Sequence, residues 1–193
     1  MGKIFYLMGK SASGKDTLYK KILERCPELR KIVLYTTRPM REGETDGVEY
    51  YFTNPEELQK FSQEGKMIEL RTYETVKGPW SYATVDDGQI CLEQENYLAI
   101  GTLSSYEIMR NYYGEEKVIP LYVIVDDGVR LERALAREKQ QKNPDYAEMC
   151  RRFLADEEDF SAEKLEKLGI KKAYENKDLN ECTEELCRTI FYT

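Results

Sequence analysis

A short apolar run, Ile4 to Met8, passes directly into Gly9-Lys10-Ser11-Ala12-Ser13-Gly14-Lys15-Asp16-Thr17. That junction constrains the fold more than any other feature of the chain. A compact apolar run closed by glycine predicts a buried strand entering a tight turn. After Lys15, the residues Leu18, Ile22 and Leu23 keep helical spacing until Pro27, so a helix starts where the turn ends. A GxxxxGK turn between a strand and a helix is a cradle for anions. Its glycines let the backbone curl until several N–H groups face one point, the helix N-terminus adds partial positive charge, and Lys15 adds a full one. The residues expected to hold a triphosphate are Gly9, Ser11, Ala12, Ser13, Gly14, Lys15, Asp16 and Thr17. Asp16 stands where this motif ordinarily carries a hydroxyl. It can hold Mg²⁺ directly or through water, or Thr17 can do so instead; the other reading is an acid matched to the helix dipole.

The remaining pattern alternates strands and helices at both ends of the chain. Ile32–Tyr35 reads as a strand, residues 36–47 as a polar loop, Glu49–Thr53 as a short strand, and Pro55 to about Glu64 as a helix capped by Asn54. Met67–Leu70 and Ser81–Val85 read as strands around a turn containing Gly78-Pro79. Tyr97–Gly101 and Val118–Val125 are further strands. Val129 to about Gln140 and Tyr146–Phe160 are helices, Ala173–Glu175 a strand, and Thr183–Phe191 a closing helix. Alternation at the ends and strands in the middle predict an α/β fold: a P-loop NTPase-type parallel sheet flanked by helices, with an inserted strand-rich lobe and a helical lid. The expected division is a core of residues 1–34, 91–130 and 155–193, a lobe of 35–90 and a lid of 131–154. Residues 137–151, around Asn143-Pro144, read as a mobile, basic-tipped excursion.

Composition removes several classes of chemistry. At 193 residues the chain suits one domain. It has no histidine, so His-based triads and most zinc sites are excluded. The net charge of −7 argues against broad nucleic-acid binding. Five cysteines without CxxC spacing fit unpaired thiols in a reducing compartment. The apolar run at the N-terminus is too short for a signal peptide or membrane span, and no other segment approaches the length needed. A cytoplasmic protein with no membrane partner is therefore expected.

A second anion site follows in Thr36-Thr37-Arg38-Pro39-Met40-Arg41-Glu42-Gly43-Glu44 and Gly47-Val48-Glu49-Tyr50-Tyr51-Phe52. Two arginines three apart in a loop can converge on one phosphate by forked hydrogen bonds. Tyr50 can add a hydroxyl, and Glu44 can fix an arginine or a ligand hydroxyl. By composition alone a solvated loop is the commoner outcome. The segment TTRPMREGETDGVEYYF, however, resembles the GMP-binding signature TTRxxRxGExxGxxYxF of guanylate kinases. With the N-terminal phosphate loop, Ile68-Glu69, Tyr82–Thr84, an arginine-rich lid and Asn176-Lys177-Asp178, the resemblance runs nearly end to end.

That resemblance implies an ATP:GMP phosphotransferase using Mg²⁺, monomeric or homodimeric. Arg38, Arg41, Tyr50 and Tyr82 would hold the acceptor phosphate, with Glu44 beside them. Glu69 and Thr84 would read the guanine edge. Arg133, Arg137 and Arg152 would reach the ATP phosphates from the lid, and Asn176 would sit near the adenine. Without the resemblance, the lid arginines read as a solvated helix face with glutamate partners. The chain departs from the family pattern at Leu34, where a base-holding serine is usual, and at Ala99 and Gly101, where an Asp-x-Asp step is usual. It departs again at Ala83 and in an extra stretch around Lys77-Gly78-Pro79-Trp80. These departures leave open another acceptor, such as IMP, dGMP or a ribose bisphosphate, or a non-catalytic binding module.

Overall fold

The computed structural model describes residues 2–41, 43–75 and 78–193; Glu42 and Lys77 of the motifs above lie outside the described residues. The apolar run becomes β1 (Ile4–Gly9), buried along its whole length. It occupies the middle of a parallel sheet, between β7 (Tyr97–Gly101) and β8 (Val118–Ile124). Outside these lie β2 (Arg30–Lys31) against β7 and β9 (Ala173–Glu175) against β8. A central parallel strand is covered on both faces and so reads as a continuous apolar run. Phe5 and Leu7 pack against Leu18 and Ile22 of α1 (Lys15–Arg25) and Leu186 and Ile190 of α7 (Leu179–Tyr192). Ile4, Tyr6 and Met8 face the other way, onto Leu103, Tyr106 and Met109 of α3 (Leu103–Tyr113). Each such buried side chain contributes about 1.5–3 kcal/mol.

A second sheet has the order β4 (Tyr51–Phe52), β3 (Tyr35–Thr36), β6 (Gly78–Val85), β5 (Met67–Thr75). Its pairs with β6 are antiparallel. Ala83 and Val85 pack on Leu58 of α2 (Pro55–Gln63), with Tyr35, Phe61 and Met67 around them. Asn54 caps α2, its side chain accepting from the Glu57 N–H at 2.8 Å. The helices α4 (Asp127–Lys139), α5 (Tyr146–Asp159) and α6 (Ala162–Lys167) complete the described elements. No helix among the described residues is long and apolar enough to cross a membrane, and the five cysteines are free thiols.

Several expectations shift for identifiable reasons. The strand foreseen at Ile32–Tyr35 is two short strands in different sheets. Between them the Val33 N–H bonds to Gln89 Oε1 (2.9 Å) and Leu34 O accepts from Tyr51 N, so the chain leaves one sheet and enters the other. The strand expected at Glu49–Thr53 keeps only Tyr51–Phe52. Gly78 and Pro79 lie within β6, opposite Thr75 and Glu74, instead of in a turn. Pro79 is tolerated because β3 does not extend to that end of β6, so its missing N–H deprives no second neighbour. The closing helix begins at Leu179, four residues early, because Asp178 accepts from the Asn180 and Glu181 N–H groups. Two helices, α3 and α6, were not foreseen.

Candidate active site

The turn after β1 has the conformation that its glycines predict. Gly14 adopts φ 85° and Ala12 φ 62°, both left-handed. At Gly14 a side chain is excluded twice, by its φ and by Asn176, whose Nδ2 would lie 2.5 Å from an added Cβ. The same Nδ2 donates to Ser13 O at 2.8 Å, so buried Asn176 braces the loop. The next residues, Lys15 and Asp16, open α1, where backbone N–H groups have no carbonyl a turn earlier to bond. Lys15 Nζ lies 4.0 Å from Asp16 Oδ2. Asp16 and Thr17 are exposed on this first turn. Among the described residues no three acidic or thiol side chains form a ready-made metal cage. One carboxylate and one hydroxyl beside a phosphate cradle nevertheless suit Mg²⁺, which takes few protein ligands and relies on phosphate oxygens and water.

Two helices close over this loop. Ser11 N–H donates to Asp156 Oδ2 at 2.7 Å, and Lys10 Nζ lies 2.5 Å from Glu157 Oε2, both acceptors on α5. Arg130 of α4, only 1% exposed, ties the parts together. Its Nε donates to Ser11 O at 3.1 Å, Nη1 to Asp127 and Glu157, and Nη2 to Asp156 at 3.2 Å. Its guanidinium also lies 4.7 Å from the Phe153 ring centre. Hydrogen bonds from Lys10 and then Arg130 hold the Glu157 carboxyl below the usual carboxylate range, against the opposing effect of burial.

The lid arginines do not all converge. Arg133 reaches the loop, its Nη1 lying 3.9 Å from where a Cβ on Gly14 would be. It lines a cavity with Gly14, Thr17 and Asn176. Arg137 and Arg152 instead line a cavity of about 290 Å³ between α4 and α5 that also touches Ser11. Arg152 Nε bonds Glu148 Oε1 at 2.7 Å, the glutamate partner expected on a solvated helix face. Bonds from Arg151 and Arg152 pull the Glu148 carboxyl down to about 2.

On the second sheet, Arg38 is buried and held by a fork to Glu44, Nη2–Oε1 2.7 Å and Nη1–Oε2 3.0 Å. Arg41 contributes its backbone N–H to Glu44 Oε2 at 2.7 Å, leaving its side chain exposed. Of the two roles open to Glu44, the structure shows the first, fixing an arginine. Tyr50 stands 5.3 Å from Arg38 and 5.7 Å from Tyr82, ring to ring. The fork holds the Glu44 carboxyl below its ordinary value of 4.5. The stability it confers is therefore present above that value and lost as pH falls through the lowered one. The stability difference between wild type and Glu44→Gln should shrink below about pH 4.5, as read by urea denaturation across a pH series.

Between this sheet and the core lies a cavity of about 320 Å³, bounded by Tyr50, Leu34, Glu69, Arg71, Thr84 and Ala99 among others. Cross-strand register places Glu69 opposite Thr84 and Arg71 opposite Tyr82, all on one face of the hairpin. Glu69 is buried. Its Oε1 accepts from Ser105 Oγ at 2.5 Å and lies 2.6 Å from Arg71 Nε, and its Oε2 accepts from Thr84 Oγ1 at 3.4 Å. Burial raises the nearby Tyr6 phenol well above its ordinary value, and the Glu69 charge adds to this.

Tyr6 also explains Gly101, because a Cβ there would overlap the tyrosine hydroxyl. Gly101→Ala should cost about 1–3 kcal/mol. The cost should fall in a Tyr6→Phe background, and a denaturation double-mutant cycle reads this directly. Sequence reasoning missed Tyr6, Arg71, Ser105, Arg130, Asp156 and Glu157. For Ser105 a signal existed: Leu103, Tyr106, Met109 and Tyr113 keep helical spacing behind Thr102, which caps α3.

A central parallel strand feeding a glycine-rich turn, beside a second sheet that carries a fixed arginine and a polar-floored cavity, defines a P-loop α/β fold. Known proteins place it more narrowly. The guanylate kinase family profile matches residues 1–87. A guanylate kinase of Syntrophotalea carbinolica is 30% identical over 154 residues, 79% of this chain and 69% of that protein. One from Chlorobium luteolum is 42% identical over 69 residues, 36% of this chain. The match covers about a third of several of these relatives, 35% of the Chlorobium protein and 34% of one from Frankia casuarinae. The crystal structure of guanylate kinase from Anaplasma phagocytophilum shares the fold, with TM-score 0.64 and 21% identity over 99% of this chain and 85% of that one. This chain belongs to the guanylate kinase family.

Proposed function

We propose that the chain transfers the γ-phosphoryl group of ATP to GMP, giving ADP and GDP. The observation that carries this reading is buried Glu69, hydrogen-bonded by Thr84 and Ser105 at the floor of a cavity whose rim leads through Tyr50 to Arg38. A carboxylate so placed accepts from the N1–H and 2-amino groups of guanine. Arg38, Arg41, Tyr50 and Tyr82 take the acceptor phosphate. The loop from Gly9 to Thr17 and Lys15 hold the triphosphate, and Asn176 stands at the adenine side. Asp16 and Thr17 would hold Mg²⁺, whose role when bound is to neutralise phosphate charge. Phosphoryl transfer needs positioning and charge stabilisation more than acid–base chemistry, so a chain without histidine is not handicapped. Arg133, next to the loop, spreads transition-state charge. Arg137 and Arg152 join it when the lid, residues 131–154, shuts over the core and the acceptor lobe, 35–90, excluding water.

A coupled ADP-release assay with ATP and Mg²⁺ tests this, comparing GMP, dGMP, IMP, AMP, CMP, UMP and ribose 1,5-bisphosphate. Preferred turnover of GMP is the expected result. Preference for ribose 1,5-bisphosphate would reassign the acceptor, and ATP binding without turnover of any acceptor would make the chain a binding module.

A further inference from the structure

Arg71 is not accounted for by the roles above, yet it sits inside the acceptor cavity next to Glu69. It lies two residues beyond Glu69 on β5, so both side chains leave the same face of the strand. Its Nε is 2.6 Å from Glu69 Oε1, and its side chain is 24% exposed against 2% for Glu69. The carboxylate is therefore at the floor, and the guanidinium stands beside it at the edge open to a ligand. Arg71 and Glu69 both line the cavity, while Leu34 and Ala99 on its other walls offer no side-chain hydrogen bond. Ser105 and Thr84 are committed to Glu69.

We infer that Arg71 is a specificity-determining residue that donates to the 6-oxo group of the purine acceptor while Glu69 accepts from its N1–H and 2-amino groups. This rests on the GMP reading above and deepens it. Guanine presents an acceptor at O6 next to a donor at N1 and another at the 2-amino group. A guanidinium adjacent to a carboxylate offers the complementary order, donor then acceptor; Ser105 and Arg71 both sit on Glu69 Oε1, so Oε2, touched only by the long 3.4 Å contact from Thr84, takes both donors once the base displaces that contact. Adenine presents a 6-amino donor and an N1 acceptor, so each group would face its like, and a cavity whose polar groups are fixed and largely buried penalises such a mismatch. The Glu69–Arg71 ion pair keeps the two groups in this order before any base arrives.

The test compares Arg71→Met with wild type by kcat/KM for GMP, IMP and AMP, with Arg71→Gln as a variant that retains an N–H donor. IMP carries the 6-oxo group and N1–H but lacks the 2-amino group, so it separates Arg71 from Glu69. Arg71→Met should lower GMP and IMP by the same factor, about 10–100-fold, and leave AMP unchanged or improved. Arg71→Gln should recover part of the loss. A changed GMP/IMP ratio would mean that Arg71 only positions Glu69, and an equal fall for all three acceptors would mean that it serves the phosphate. Either result, or no change at all, overturns the inference while leaving GMP as acceptor. Wild type without GMP turnover would overturn the acceptor reading and this inference with it. Thermal unfolding of each variant separates loss of fold from loss of recognition.

Discussion

Lys15→Met should lower kcat at least about 10³-fold and leave the melting temperature nearly unchanged. The first half follows from where charge develops. In phosphoryl transfer the catalytic contribution is almost wholly electrostatic, and removing one preorganised donor costs on the order of 10²–10³, with a charged group costing more. Lys15 is the cation at the mouth of the loop, immediately after Gly14. The second half follows from its surroundings. Its ion-pair partner is Asp16, 4.0 Å away with a side chain 83% exposed, and a pair so exposed contributes little to stability. Steady-state rates and thermal unfolding on one preparation check both. Near-normal turnover would remove the loop from the chemistry. A large drop in melting temperature would show that Lys15 supports the fold.

Arg130→Ala is the opposite case, with its largest expected effect on stability. The guanidinium is almost wholly buried and donates to Ser11 O, Asp127, Asp156 and Glu157. Truncating it leaves Asp156 without its cation and Glu157 with Lys10 alone. The acids left behind are partly exposed, Asp156 16%, Glu157 39% and Asp127 55%, so the cost falls below that of a fully buried pair, at about 2–4 kcal/mol. For a chain of this length each kcal/mol moves the melting temperature by roughly 2–4 °C, so a fall of about 10 °C is expected. Asp156→Ala should cost less, because Arg130 keeps Glu157 and Asp127. Calorimetric or fluorescence melting curves measure both. A shift under about 2 °C for Arg130→Ala would mean that the network is solvated and contributes little.

These two residues mark where the sequence was legible and where it was not. Lys15 announces itself, because a left-handed turn between a strand and a helix needs glycine at particular positions, and those positions are contiguous in the chain. The family signature from Thr36 to Phe52 is similarly local, and its Arg38–Glu44 fork spans six residues. The buried strand β1 was readable from its apolar run, and so were the helices whose apolar spacing was followed. Element ends were less secure, since Asp178 as a cap and the Val33–Gln89 bond depend on a few side chains that pattern alone does not rank.

Arg130 could not be read in this way. In sequence it is one arginine in a charged helix, as Arg133 and Arg137 are, and nothing local separates a buried guanidinium from a solvated one. Apart from Asp127 on its own helix, its partners are 119 residues away at Ser11 and 26–27 away at Asp156 and Glu157. Ser105 shares this property: it meets Glu69 across 36 residues, on a helix whose place is set by packing on β1 and β5. The sequence by itself determined the anion turn, the strand and helix that frame it and the acceptor signature, because each rests on backbone conformation or short-range spacing. Only the tertiary structure decided which charges are buried, which carboxylates close over the loop and what stands beside Glu69. A charged side chain has the same identity in water and in a cavity, and only the packing of distant elements chooses between them.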